Sequence, residues 1–157
     1  MGEGMLAKLR SIADYQFAPG AGEALFPKGI EVKISRQTGR PRHVYLEGKL
    51  LASLRPNTGT FTLTPEGFRR LLERFPPPKF RVKVKGEAEE AVSRGLTVFA
   101  KHVLEADPEV RPGDEVAVVG EDGEVLAVGK AVLSGFEMAG FKVGAAVKVR
   151  KGAERKE

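Results

Sequence analysis

Pro76-Pro77-Pro78 constrains the fold of this chain more than any other segment. Three successive residues without a backbone N–H can neither continue a helix nor enter the middle of a sheet, so regular structure must stop on both sides of them. Consecutive prolines also favour a stiff connection over a hinge. The organisation expected is a first domain at residues 1–75, a Pro-rich linker at 76–79, a second domain at 80–152 and a frayed tail at 153–157. A chain of 157 residues buries roughly two thirds of its unfolded surface, so a self-sufficient core is expected.

The first domain reads as α+β. Just before the prolines, Thr64 offers an N-cap, Pro65 the first helical position, and Phe68, Leu71, Leu72 and Phe75 an apolar face at helical spacing. Upstream, Ile30–Ser35, Val44–Leu46, Leu50–Leu54 and Thr60–Leu63 are strand-like runs. They are separated by Gln37-Thr38-Gly39, Glu47-Gly48 and Asn57-Thr58-Gly59, which predicts an antiparallel meander. Met5, Leu6, Leu9, Ile12 and Ala13 predict an opening amphipathic helix, a region that Gly20–Gly22 is expected to end.

In the second domain Phe80, Val82 and Val84 alternate with Lys79, Arg81, Lys83 and Lys85, the pattern of a strand with one buried and one wet face. A short helix follows, with Glu87, Glu89 and Glu90 in its first turns, Arg94 in its last, Gly95 just beyond, and Ala88, Ala91 and Val92 as its apolar face. Leu96–Phe99, Glu115–Val119, Val125–Val128, Ala131–Leu133 and Ala146–Val149 complete a barrel-like set of short strands. Turns are expected at Arg111-Pro112-Gly113-Asp114 and Asp122-Gly123. No internal repeat is visible.

Composition narrows the function. With no cysteine there is no disulfide framework or thiolate site, which fits a reducing compartment. The longest uncharged run, Pro56–Pro65, is far short of the ~20 apolar residues of a membrane span, and Lys8 and Arg10 interrupt any leader core, so cytoplasmic residence is the default expectation. The net charge of +5 lies entirely in residues 1–75, where 12 lysines and arginines face 7 acids; residues 76–157 carry 14 of each. His43 and His102 are 59 positions apart without a metal-ligand spacing, and Asp14, Asp107, Asp114 and Asp122 sit in turn or cap contexts. No catalytic pair, metal site or cofactor motif is expected.

Several blocks in order carry a family resemblance: Val84-x-Gly86-x-Ala88, Gly95-x-Thr97-Val98-Phe99-Ala100-Lys101, Arg111-Pro112-Gly113-Asp114-Glu115-Val116, Val128-Gly129-Lys130-Ala131 and Gly144-x-Ala146-Val147-Lys148-Val149-Arg150. They resemble an archaeal PUA domain, a small RNA-binding β pseudo-barrel with short helices. Ala13-Asp14-Tyr15-Gln16-Phe17, Ser35-Arg36-Gln37-Thr38-Gly39-Arg40 and Leu63-Thr64-Pro65-Glu66-Gly67 resemble the domain that precedes PUA in archaeal tRNA-guanine transglycosylases and related archaeosine-pathway proteins. The resemblance implies a non-catalytic, two-domain module that binds RNA, above all tRNA near its acceptor end. It would be an accessory to tRNA modification whose catalytic barrel belongs to a separate chain; a (β/α)₈ barrel of ~250 residues does not fit here. A ribosome-associated translation factor of the pre-domain-plus-PUA type is the alternative.

Candidate RNA-binding residues follow. By local sequence Gly95 reads first as a helix cap; the resemblance adds that it lets the chain around Arg94, Leu96 and Thr97 approach a nucleic-acid backbone, with Lys101 beyond. Leu96 departs from the polar or basic residue usual in related domains. Lys79, Arg81, Lys83 and Lys85 form either a cationic stripe or a merely solvated face. Lys148, Arg150 and Lys151 join them if they border the same groove. Arg36, Arg40 and Arg42 around Thr38-Gly39 make a second donor cluster, or a plain exposed hairpin. Among Phe99, Phe136 and Phe141, only Phe141 is expected to be exposed for stacking on bases.

Overall fold

The computed structural model describes residues 2–153 and separates into two compact units, Met1–Arg74 and Phe75–Glu157. The first is α+β. Helix α1 (Glu3–Gln16) and helix α2 (Ala21–Leu25) precede a meander of β1 (Glu31–Ile34), β2 (Pro41–Leu46), β3 (Lys49–Leu54) and β4 (Phe61–Leu63), which pair in sequence order, and α3 (Pro65–Arg74) closes the unit. The core is drawn from the helices and from β2, β3 and β4: Leu9, Leu25, Phe26, Val44, Leu51, Phe61, Phe68 and Leu71 are all buried, whereas β1 buries no residue.

Local chemistry explains these boundaries. The Thr64 hydroxyl accepts from Gly67 N at 3.1 Å and donates to Leu50 O at 2.6 Å, so one side chain caps α3 and ties it to β3. A Cβ on Gly67 would lie 2.2 Å from Leu51 O, so only glycine allows this helix to sit on that strand. Gln16 does similar work for α1: its amide accepts from Phe61 N at 2.6 Å and donates to Phe61 O at 2.8 Å, completing the hydrogen bonds of β4. Asp14 accepts from Gly22 N at 2.7 Å.

The expectation that Gly20–Gly22 ends the helical region is corrected, because α2 begins there. Gly20 takes a left-handed φ of 96° to start it, and Gly22 packs so closely on α1 that a Cβ would stand 2.3 Å from Arg10 O. The expectation of no internal repeat also needs amendment at the scale of loops. In Ser35–Arg40 and in Arg55–Thr60 the first N–H donates to the last carbonyl, at 2.8 and 2.9 Å, and the glycine N–H donates to the first carbonyl, at 2.9 Å in both. Gly39 and Gly59 share a φ of 69°, and Thr38 and Thr58 each accept from the second N–H downstream at 3.3 Å. The β1–β2 and β3–β4 loops are conformational copies, and the meander places them at the same end of the sheet.

The second unit is a barrel-like sheet with the strand order β6-β10-β9-β8-β5-β7. Its elements are β5 (Arg81–Val84), α4 (Gly86–Ser93), β6 (Val98–Phe99), a 3₁₀ turn (Ala100–His102), β7 (Val103–Ala106), β8 (Glu115–Val119), β9 (Val125–Ala131), α5 (Gly135–Gly140) and β10 (Ala145–Gly152). The outermost strands β6 and β7 are joined through the 3₁₀ turn, and Lys85 N donates to His102 O at 2.9 Å, so the sheet curls nearly to closure. Its core holds Val82, Val84, Val92, Val98, Val116, Val118, Met138 and Val147.

Three expectations shift in this unit. Ala131 ends β9, and Val132 and Leu133 only donate to Ala146 O, so Ala131–Leu133 is not a separate strand. β7 and α5 were not anticipated, although α5 opens with a full capping box in which Ser134 and Glu137 serve each other's backbone N–H groups. Ala153 is tied to Leu126 O at 2.8 Å; the remainder of the expected tail lies outside the described residues.

Candidate nucleic-acid interface

Helix α4 ends in a Schellman motif: Gly95 N donates to Val92 O at 2.9 Å and Leu96 N to Ala91 O at 3.1 Å, with Gly95 at φ 102°. The glycine is therefore a cap, and two backbone N–H groups of the turn are used within the protein. The side-chain donors at this turn are exposed Arg94, which lies 3.9 Å from the Glu90 carboxylate, and exposed Thr97. Leu96 is 55 % exposed.

Strand β10 brings further cations to the same place. Val147 pairs with Val98 and Ala145 with Phe99, so the residues that follow on β10 run beside Thr97, Leu96 and Gly95. A Cβ on Gly152 would sit 2.1 Å from Ser93 O and 2.9 Å from Gly95 N, which fixes the end of β10 against the turn. Lys148 and Lys151 are exposed on this strand. Lys148 is also in register with exposed Lys130 on β9. At the other end of β6, exposed Lys101 lies in the 3₁₀ turn that receives Lys85 N, and Ala100 N donates to Gly144 O.

The opposite end of α4 is unsuited to an anion. Gly86 N already donates to the Glu121 carboxylate at 2.7 Å, and Glu121 N donates to Glu89 at 3.2 Å. These carboxylates fill the helix N-terminus and repel phosphate.

Several sequence-selected cations are committed elsewhere. Arg150 lies in a β-bulge of β10 and grips Glu115 with two hydrogen bonds of 2.6 and 2.7 Å, although the Glu115 side chain is only 5 % exposed. Arg81 donates to Phe75 O and Lys79 O, each at 3.0 Å, and burial lowers its proton affinity. Lys79 pairs with Glu109 at 2.8 Å, and that bond holds the Glu109 carboxyl below its usual range. Lys83 stands opposite Glu105 on β7. Of the four-residue stripe, Lys83 and Lys85 remain without an ion pair within 4 Å among the described residues.

Phe80 shows how firmly this corner is built. It holds a left-handed φ of 64°, kept there by its N–H bond to buried Asp107 at 2.8 Å and by its carbonyl accepting from Ala117 N at 3.0 Å.

The aromatic expectation is corrected. Phe99 is 46 % exposed and Phe136 81 % exposed, as well as Phe141 at 48 %, because β6 is an edge strand and α5 a single short helix with one buried face. Val143, at 83 %, adds to the apolar surface beyond α5. In the first unit Arg40 and Arg42 line a cleft together with Arg55, a residue that sequence reading passed over, while Arg36 does not line it. Its signal was the duplicated x-Thr-Gly loop. Among the described residues no three metal-ligating side chains cluster, and no helix is long and apolar enough to cross a membrane.

Comparisons with known proteins fit this geometry unit by unit. Residues 7–78 match the patch-forming domain C2 of tRNA-guanine transglycosylase, and residues 80–153 match the PUA domain. The tRNA-guanine(15) transglycosylase of Pyrococcus furiosus is 48 % identical over 155 residues, covering 99 % of this chain and 26 % of the relative. That of Methanobrevibacter smithii is 41 % identical over 150 residues, covering 96 % and 23 %. The chain thus spans about a quarter of the length of these relatives. Among solved structures, a hypothetical protein of Pyrococcus horikoshii superposes with a TM-score of 0.77 at 24 % identity, covering 99 % of this chain and 94 % of its own. A conserved PUA domain protein of Thermoplasma acidophilum gives 0.70 at 20 % identity, covering 99 % and 93 %. Residues 7–78 and 80–153 are thus similar, in that order, to the C2 and PUA domains, and together they are similar to about a quarter of the length of tRNA-guanine(15) transglycosylases.

Proposed function

We propose that this protein is a non-catalytic RNA-binding module that holds tRNA near its acceptor end, as an accessory in tRNA modification, with the chemistry supplied by a separate catalytic subunit. The observation that carries the reading is the convergence of β10 on the Gly95 turn, which gathers Arg94, Thr97, Lys148 and Lys151 along one edge. The C2-plus-PUA order and the names of the relatives support tRNA as the RNA. Such a surface reads phosphates and shape, as suits an A-form helix whose deep groove side chains cannot enter. Exposed Phe99 and Phe141 offer apolar faces to the unpaired 3′ end, where base stacking is worth ~1–3 kcal/mol.

The test is fluorescence anisotropy with folded tRNA and with the same tRNA lacking its 3′ end, each at two salt concentrations. Tighter, salt-sensitive binding to the intact tRNA is expected. Equal, weak binding to both that vanishes with salt would reduce the interaction to nonspecific charge. Preferential co-sedimentation with ribosomal subunits, without tRNA preference, would move the function to translation.

A further inference from the structure

The twin loops of the first unit enclose a cleft of about 320 Å³. Thr38, Arg40, Pro41 and Arg42 line it from one loop and the start of β2, and Arg55 and Gly59 from the other. This volume lies at the small end of the ~300–1,000 Å³ of small-molecule sites. The charge of its walls is one-sided. No acidic residue occurs between Glu31 and Glu47, nor between Glu47 and Glu66, so neither loop carries a carboxylate. None of Arg40, Arg42 and Arg55 has a carboxylate within 4 Å among the described residues.

Three guanidinium groups sharing a cleft repel one another unless an anion sits between them. The Arg42 guanidinium is directed by a 3.4 Å bond to Leu54 O on the neighbouring strand. The surplus field is felt nearby: the proton affinity of His43 is lowered first by burial, then by Arg42 and Lys33. A planar fork of donors suits tetrahedral oxyanions far better than a lysine point charge does. The loops are stiff hosts, since each closes on itself through the same pair of backbone bonds and a threonine turn.

We propose that the cleft between the twin loops is a phosphate site, with Arg40, Arg42 and Arg55 as its ligands. The phosphate is either a phosphodiester of the RNA backbone, which would rest on the function proposed above, or a phosphate group of a free small molecule, which would not. The site itself depends on neither source.

The test uses the full chain and the charge-removing variant Arg40→Gln/Arg55→Gln, with Lys8→Gln/Lys28→Gln as a control that removes the same charge from exposed residues of the same unit. Inorganic pyrophosphate is titrated while the backbone amide resonances of Gly39 and Gly59 are followed. Saturable shifts of both are expected in the parent and the lysine control, with affinity falling about tenfold or more in the arginine variant. Absence of shifts in the parent, or equal shifts in the arginine variant, would overturn the phosphate site. Unchanged amide dispersion in the variant shows that the fold is kept.

The second arm measures tRNA affinity against salt. If the phosphate belongs to RNA, the slope of log K against log salt falls by about 1.4–1.8 in the arginine variant, the release expected for two lost phosphate contacts. An unchanged slope with pyrophosphate binding abolished assigns the site to a free phosphorylated ligand. Pyrophosphate binding in a protein that holds no tRNA would sink the RNA reading alone.

Discussion

Replacing Arg150 by alanine removes both hydrogen bonds from Glu115, whose side chain is 5 % exposed. Breaking a buried ion pair from one side costs about 3–5 kcal/mol. The Arg150 side chain is 33 % exposed, so water can enter the vacated space, and we expect the low end, about 3 kcal/mol. Removing both partners is a different perturbation. Glu115→Leu/Arg150→Met keeps the net charge and leaves no orphan, so it should lie within about 1 kcal/mol of the parent. With urea slopes of ~1–3 kcal/mol/M, the single variant should lower the midpoint by roughly 1–3 M. Tyr15 and Tyr45 both lie in the first unit and there is no tryptophan, so intrinsic fluorescence is blind to this pair. Hydrogen exchange of β8–β10 amides or far-UV dichroism must report it. A loss below about 1 kcal/mol for Arg150→Ala would refute the buried-pair argument. The double variant should bind tRNA as the parent does, because the guanidinium is spent on Glu115; loss of binding would show that Arg150 serves RNA directly.

Other consequences follow from single positions. Glu47 and Gly48 have φ of 50° and 81°, as a type I′ hairpin demands, so Glu47→Asn should stabilise the first unit by about 0.5–1 kcal/mol in denaturant titrations. Gly95→Ala meets no atom within 4 Å but must hold φ 102°, so its stability loss should stay near ~1–2 kcal/mol; Gly152→Ala would drive a Cβ into Ser93 O and should exceed it, while weakening tRNA binding more. His43 has its folded proton affinity lowered, so the unfolded chain binds the proton more readily. Stability is therefore full above about pH 6.5 and falls as pH drops below it, a dependence that His43→Gln should flatten in thermal melts between pH 7.5 and 5.

The legible parts of this protein were those where local chemistry and tertiary structure agree. Thr64-Pro65, the alternation at Phe80–Lys85 and the Gly95 cap each announce an element that the fold keeps. What stayed hidden depends on partners distant in sequence. Gly20 starts a second helix and Gly22 lets it pass close to Arg10, and β7 forms because β5 offers it a ladder that Val103–Ala106 alone does not advertise. Arg81, Lys79 and Arg150 look like free cations in a list of residues, yet Phe75 O, Glu109 and Glu115 claim them. Arg55 escaped attention for the opposite reason. Alone it is one arginine before a proline, and it matters only because a second loop of the same shape stands beside it.

The most direct test of the central claim is a titration of folded tRNA into the isotope-labelled 157-residue chain, following the amides of Arg94–Thr97, Lys101 and Lys148–Gly152. The account predicts that these resonances move together and saturate with intact tRNA, and move less with tRNA lacking its 3′ end. If they stay in place while other residues of the protein shift, the edge built by β10 and the Gly95 turn is not where this protein meets RNA.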